Sequence, residues 1–294
     1  MIRPAWCDDS NLPRVWCEHC GGSQLGIFDG IPDDLYHADE VSLSSSGAKK
    51  LTNGTAEKFA WGRAHPEPPT DALLLGTAVH TLTLGVGPEI VAVEAKSWQG
   101  KEAAAAKLAA ISAGKTPLLA KSHEQALAMS KRARELPEAA ALLAHGRAET
   151  SLYWRDEQTG TLLRARPDWA TRLPDGRPLI IDIKTAISAK ASEFRYHAAD
   201  LAYDVQQEWY REGALRSGLF DELPLFLFLV IEKSPPYSPA LIGFDEEFAE
   251  IGRARMRRAI DLYAHCTKTG IWPGYPALTY VGPPRSLASR ESEA

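Results

Sequence analysis

Asp168 and Asp182 stand fourteen residues apart in R-P-D-W-A-T-R-L-P-D-G-R-P-L-I-I-D-I-K-T-A (166–186), with a Pro-Asp-Gly turn midway and Lys184 two places after the second aspartate. Each aspartate is seven residues from Asp175, so a hairpin turning there sets them opposite one another on neighbouring antiparallel strands. Directly opposed residues carry Cβ atoms about 4.5–5.5 Å apart on a shared face. The same arithmetic about position 158.5, inside D-E-Q-T-G, sets Glu149 opposite Asp168. Glu149, Asp168 and Asp182 then form one row across three strands, provided neither register slips by a residue. Side-chain alternation puts Lys184 on the face of Asp182. Carboxylates this close repel one another unless a cation sits among them. Mg²⁺ takes oxygen ligands at about 2.0–2.1 Å, and Mn²⁺ can stand in for it. A metal held there lowers the pKa of a bound water, and a lysine beside it orients that water or stabilises developing charge. Phosphodiester hydrolysis is the reaction that most needs such a set. The bland alternative is a surface hairpin with chance acidic residues. Against it, Asp182 and Lys184 end a strand as apolar as Leu179-Ile180-Ile181.

The elements that must position this row are legible from pattern. Segments 148–156, 161–173 and 178–186 read as strands of a meander separated by E-Q-T-G and P-D-G-R turns. Helical spacing or propensity runs through 39–54, with a serine-rich N-cap, and through 55–64, 72–85, 101–114 and 122–136. It returns at 192–201 and 203–218. Segment 224–233 is too apolar and β-prone to be other than a buried strand, with 237–245 as its hairpin partner and a last helix from 246 to 268. The order predicts an α/β layout with a central mixed sheet flanked by helices, one core, and an N-terminal helical region. Tyr203, Gln206 and Tyr210, at i, i+3 and i+7, share one helix face, the pattern also of any amphipathic helix. Arg164 and Arg166 share strand parity with Asp168, so they can reach phosphates beside a metal or form a salt bridge to Glu149. Glu149 can equally pair with Arg147 or Arg164. His80, one helical turn after Gly76 in G-T-A-V-H, reads on its own as a satisfied core histidine.

P-D followed fourteen residues later by D-x-K resembles the PD-(D/E)xK nuclease superfamily, with its restriction-endonuclease-like core. The resemblance is closer to one branch, the RecE-like (exodeoxyribonuclease VIII type) exonucleases of phages and prophages. It spans about residues 36 to 273. Y-H-A-D-E-V-S-L-S-S-S, L-G-T-A-V-H, A-E-T-S-L-Y-W, R-A-R-P-D-W-A, I-D-I-K-T-A, Y-D-V-Q-Q-E-W-Y, F-L-F-L-V-I-E-K and I-W-P occur in the right order. P-D and D-x-K are each common; eight pieces in order are not. The resemblance implies a metal-dependent exonuclease that resects one strand of linear double-stranded DNA, 5′ to 3′, for a strand-annealing recombinase. It makes Asp168 and Asp182 metal ligands, adds the carbonyl of Ile183, and makes Lys184 the catalytic lysine. Glu149 takes a metal-linked or water-linked role, His80 a metal or phosphate contact, and Gln206, with Tyr210 on the same helix, a contact to the site or the substrate backbone. An endonuclease of the same superfamily, or a catalytically silent DNA- or partner-binding module, stays open as an alternative.

The remaining sequence sets bounds. The 294 residues are 45% apolar, enough for a core, and contain no apolar run long enough to span a membrane. The N-terminus lacks a signal-peptide stretch, so the cytoplasm of a bacterial host is the expected location. A net charge of −5 argues weakly against a chain coated in nucleic acid, but not against a local basic groove. Arginines cluster at 130–135 and 252–260. A ring-like homo-oligomer with such arginines lining its channel would reconcile the acidic balance with DNA binding; each cluster is otherwise a solvated helix face. Residues 1–34 read as a Cys-containing extension, 35–280 as the nuclease-like domain, and 281–294 as a disordered tail. Cys7, Cys17 and Cys20, with His19 or a distant partner as fourth ligand, suggest a Zn²⁺ knuckle, and, with Cys266, an iron–sulfur site by analogy with some superfamily relatives. The second C-x-x-C is missing, and unpaired thiols are the simpler reading.

Overall fold

The structure, a computed structural model, describes residues 16–17, 22–23 and 25–283. Strands β1 (Trp16–Cys17) and β2 (Gly22–Ser23) pair with each other. Strand β3 (Gly26–Phe28), helix α1 (Asp33–Ala38) and strand β4 (Leu43–Ser44) lead into α2 (Ser45–Asn53), α3 (Ala56–Ala64) and α4 (Asp71–Leu84). Strands β5 (Ile90–Val93) and β6 (Thr116–Leu119) form a parallel pair around α5 (Lys101–Ser112), followed by α6 (Ala120–Glu135) and α7 (Pro137–Leu143). The meander comprises β7 (Arg147–Ala148), β8 (Ser151–Arg155), β9 (Leu162–Ala165), β10 (Trp169–Arg172) and β11 (Pro178–Ala186). Helices α8 (Ala191–Asp200) and α9 (Tyr203–Arg216), the hairpin β12 (Leu225–Glu232) and β13 (Pro239–Ile242), and α10 (Glu246–Thr269) complete the chain.

The central sheet runs β13-β12-β11-β10-β7 and is mixed: β11 and β12 are parallel, and the other neighbours are antiparallel. Strand β11 is buried on both faces, which explains its nearly continuous apolar run. Leu179, Ile181 and Ile183 pack with α4 and α6 residues such as Leu75, Val79 and Met129. Ile180 and Ala186 pack on the other side with α2, α9 and α10, among them Ala48, Trp209 and Ile260. The single core expected from the sequence is therefore two apolar layers, because a strand covered on both faces needs a layer on each.

The meander also departs from one continuous sheet. Its long hairpin is shared between the central sheet and a second one of order β3-β8-β9-β4. The registers Leu152↔Ala165 and Trp169↔Ala148 both sum to 317, so pairing keeps step across the break. The strands change sheet at residues 149–150 and 166–168, and Glu149 there adopts a left-handed backbone, φ 52°. Gly26–Phe28, inside the segment set apart as an extension, forms an edge strand on β8. Strands β5 and β6 had no counterpart among the expected elements. Cys7, His19, Cys20 and the tail from residue 284 lie outside the described residues, as does the side chain of Cys17. Cys266 is fully buried in the apolar layer under α10.

Candidate active site

Helix α9 is fixed closely against its surroundings, and that fixes its polar face. Trp209 Nε1 donates to the carbonyl of Arg164 on β9 at 2.8 Å. Gly213 lies so near the Trp154 indole that an added Cβ would stand 2.8 Å from it, and a Cβ on Gly252 of α10 would stand 2.5 Å from the Asp204 carbonyl oxygen. On the α10 side, Arg255 holds the buried Asp204, and Arg253 with Arg211 holds Glu208. Arg257 is paired with Asp156. Arginines of the 252–260 cluster are thus used inside the protein to neutralise buried carboxylates, and Arg258 alone of the four is exposed. The opposite face of α9 turns Tyr203, Gln206 and Tyr210 toward a cavity of about 560 Å³ at the end of β11.

Asp168, Asp182, Glu149, His80, Ile183 and Lys184 line the same cavity. The pairing Trp169↔Ile181 continues to Asp168 opposite Asp182, as symmetry about Asp175 requires. Asp168 Oδ2 accepts the N–H of Ile183 at 2.7 Å. Within a strand the N–H and C=O of one residue point to the same side, so the Ile183 carbonyl also faces Asp168. Lys184 Nζ stands 2.5 Å from Asp182 Oδ2, and its ammonium lies 4.7 Å from the Tyr203 ring centroid. Gln206 Nε2 donates to Asp182 Oδ1 at 2.7 Å. His80 reaches in from α4, with Nε2 at 3.3 Å from both Glu149 Oε1 and Asp168 Oδ2. Helix α4 is set by Thr70, whose hydroxyl caps Leu73 N, and ends at Gly85 with φ 75°.

Crowding of charge shifts the titrations. Burial pushes the Asp182 carboxyl up to about 6, with the Asp168 charge adding to it and Lys184 opposing it. Burial likewise raises Glu149 to about 7, against the pull of His80. For Asp168 burial acts upward too, but His80, Lys184 and the Ile183 N–H together hold it below the ordinary carboxylate range. Burial would depress His80, but Asp168 and Glu149 outweigh it and lift the imidazole to about 9.

Among the described residues, no three or more His, Cys, Asp or Glu side chains already stand at metal-ligating spacing. Side-chain cations hold the carboxylates instead: His80 between Glu149 and Asp168, Lys184 against Asp182. The donor set nevertheless suits a hard divalent cation, with oxygens from Asp168, Asp182 and the Ile183 carbonyl. Asp182 Oδ2 is the telling atom. It is sealed from solvent and receives no properly angled hydrogen bond; the Lys184 contact is close but off-axis, an ion pair rather than a directed bond.

The two arginines expected at the substrate are both tied into the fold. Arg164 is buried, donating to Ser42 O at 2.5 Å and Ser42 Oγ at 2.8 Å and pairing with Asp39 at 3.3 Å. Arg166 donates to Ser151 Oγ, Asp33 and the Ile31 carbonyl, and its guanidinium covers the Tyr36 ring at 3.8 Å. Both fasten the segment 31–42 onto the second sheet, and neither makes the alternative bridge to Glu149; Arg164 is turned away from the cavity, whereas Arg166 lines it. Arg147 pairs with Asp29 rather than Glu149. Among the residues at the cavity with no site role in the sequence reading is Lys49 of α2, whose Nζ donates to Gln206 Oε1 at 2.9 Å. Its signal was a lysine midway along a serine-capped helix, indistinguishable from a solvated one.

No helix among the described residues is long and apolar enough to cross a membrane. No curated protein sequence matches the chain. A solved structure of a "Putative exonuclease" from Eubacterium rectale shares its fold, with 16% identity, a TM-score of 0.56, and 90% of this chain and 99% of that one covered. A second solved structure, SSO0001, overlaps 73% of this chain and 84% of its own at 15% identity, but its TM-score of 0.28 carries no comparison. Residues 44–278 match the family described as a PDDEXK-like domain of unknown function (DUF3799), which covers the cavity and every residue placed around it except those of the 31–42 segment. The mixed sheet flanked by helices is the PD-(D/E)xK core, and the chain belongs to this PDDEXK-like family.

Proposed function

We propose that this protein is a divalent-metal-dependent nuclease that hydrolyses linear double-stranded DNA from its ends. The family and the shared fold support a nuclease. The observation that carries the reading is the convergence of Asp168, Asp182 and Lys184 with Glu149 and His80 in one cavity. Mg²⁺, or Mn²⁺ in its place, would be held by Asp168, Asp182 and the Ile183 carbonyl, with Glu149 and His80 at its edge. A metal bound there supplies Lewis acidity to the phosphate and an acidified water for attack.

The chain's own groups supply the rest. Gln206 fixes the Asp182 carboxylate by one oxygen, leaving Oδ2 against Lys184. The Ile183 N–H does the same for Asp168. The Lys184 ammonium, kept charged by Asp182 against the effect of burial, stands where negative charge grows on the phosphate oxygens. Glu149 accepts a proton from, or orients, the attacking water, its raised titration suiting a base near neutral pH.

Attack from DNA ends, 5′ to 3′ polarity, and delivery of a 3′ single strand to a strand-annealing recombinase rest on the resemblance to RecE-like exonucleases. Digestion of linear and closed circular duplex with Mg²⁺ tests the reading. An exonuclease consumes the linear form alone. Cutting of both forms makes the protein an endonuclease, and cutting of neither refutes nuclease activity.

A further inference from the structure

Of the side-chain cations that line the cavity, His80, Arg166 and Lys184 are neutralised by carboxylates, Arg166 by Asp33. His80 lies against Glu149 and Asp168, and Lys184 against Asp182. Lys49 differs. Its Nζ donates to a neutral acceptor, Gln206 Oε1, and rests 5.3 Å from the Tyr203 ring centroid; among the described residues it forms no ion pair. An ammonium has three N–H donors, and Gln206 takes one. Burial and the neighbouring Lys184 push Lys49 down to about 8, against the pull of Asp182 and Asp168.

A second observation points the same way. Lys49 lies in the second turn of α2, whose first residues, Ser45 and Ser46, line the same cavity. Ser44 caps the helix by accepting Gly47 N at 3.2 Å. Ser45 Oγ, by contrast, is buried and has no hydrogen-bond partner. A helix N-terminus favours an anion through its unpaired N–H groups and its dipole. An unpartnered hydroxyl and an ammonium held by a neutral amide thus stand at that terminus.

We propose that Lys49 and the Ser45 hydroxyl bind a phosphate of the substrate strand beside the one being cut. This rests on the nuclease reading and adds a binding contact to it. Gln206 then has two tasks, holding Asp182 by its amide nitrogen and seating Lys49 by its oxygen.

The test measures binding of a labelled linear duplex in EDTA, so that cleavage plays no part, across a range of salt. Lys49→Gln keeps an N–H for Gln206 Oε1 and removes only the charge. It is expected to lower the slope of log affinity against log salt by about one, and the affinity by up to about tenfold near 0.1 M salt, while Lys49→Arg keeps the slope. A slope unchanged in Lys49→Gln overturns the proposal even if cleavage falls, since Lys49 would then act through Gln206 alone. Should the variants fail to fold, lysine acetylation of the unaltered protein decides: duplex DNA is expected to shield Lys49, and equal labelling with and without DNA overturns the proposal. Wild-type protein that neither binds nor cuts duplex would instead refute the nuclease reading.

Discussion

Glu149 N donates to the carbonyl of Asp168 at 3.2 Å, in the gap where the long hairpin passes from one sheet to the other. The ladder thins to this contact because the backbone must turn there, and the turn frees both carboxylates to face the cavity. Glu149 does so with φ 52°, a conformation that costs an L-residue roughly 1–2 kcal/mol. The site is therefore built at a fault in the sheet, with strain held by the pairing on either side.

That strain predicts an inverted order of stability. Glu149→Gly and Glu149→Ala both lose the carboxylate and cut more slowly. The glycine variant is expected to be the more stable by about 1 kcal/mol, the reverse of what an ordinary strand position gives. Denaturant melts of the two variants decide it; an alanine variant equal to or above the glycine one would show that the left-handed turn carries no cost.

Metal affinity should rise with pH. A metal that takes the place of the His80 proton competes with a group titrating at about 9, and with Glu149 and Asp182 at about 7 and 6. Calorimetric titration with Mn²⁺ is expected to show affinity climbing from pH 6 to 9 with net proton release; a flat profile would mean that these groups do not exchange protons for metal. For the metal-free protein the sign is opposite for His80. Its folded pKa lies above the unfolded 6.5, so its contribution to stability, up to about 3 kcal/mol, is full below 6.5 and lost as pH rises through 9.

Arg164 is expected to matter for folding rather than for DNA. Arg164→Met leaves Asp39 buried without its partner and should cost about 3–5 kcal/mol. The salt dependence of DNA binding should stay as in the wild type. A normal denaturation midpoint with a lower salt slope would return Arg164 to the substrate.

Gly252→Ala places a methyl group 2.5 Å from the backbone oxygen of Asp204, which cannot rotate away. Helix α9 must shift, at a cost of about 3 kcal/mol, and Gln206 moves with it. A variant within about 0.5 kcal/mol of wild type that cuts at full rate would show that the α9–α10 contact does not position the site.

Much of this arrangement could be read in the chain because it follows from counting. The symmetry of Asp168 and Asp182 about Asp175, and of Glu149 and Asp168 about the earlier turn, sets the observed registers, and parity sets Lys184 beside Asp182. Strand β11 announced its burial by composition. The break between the two sheets had one sign, Pro167, which cannot donate to a ladder, but P-D was legible first as part of the motif, and Ala-Glu-Thr looks like an ordinary strand continuation. Strands β5 and β6, four residues each, were too short to stand out. The fates of Arg164, Arg166 and Lys49 depended on partners far away in sequence: Asp39, Asp33 and Gln206. Parity shows which face a side chain takes, not whether an anion of the protein waits there.

The central claim is that Asp168 and Asp182 share a divalent cation beside Lys184. Crystals soaked in Mn²⁺ and measured at the manganese edge test it most directly. The account predicts an anomalous peak about 2.0–2.2 Å from a carboxylate oxygen of each aspartate. A crystal that binds Mn²⁺ elsewhere and leaves these two carboxylates to His80 and Lys184 would contradict it.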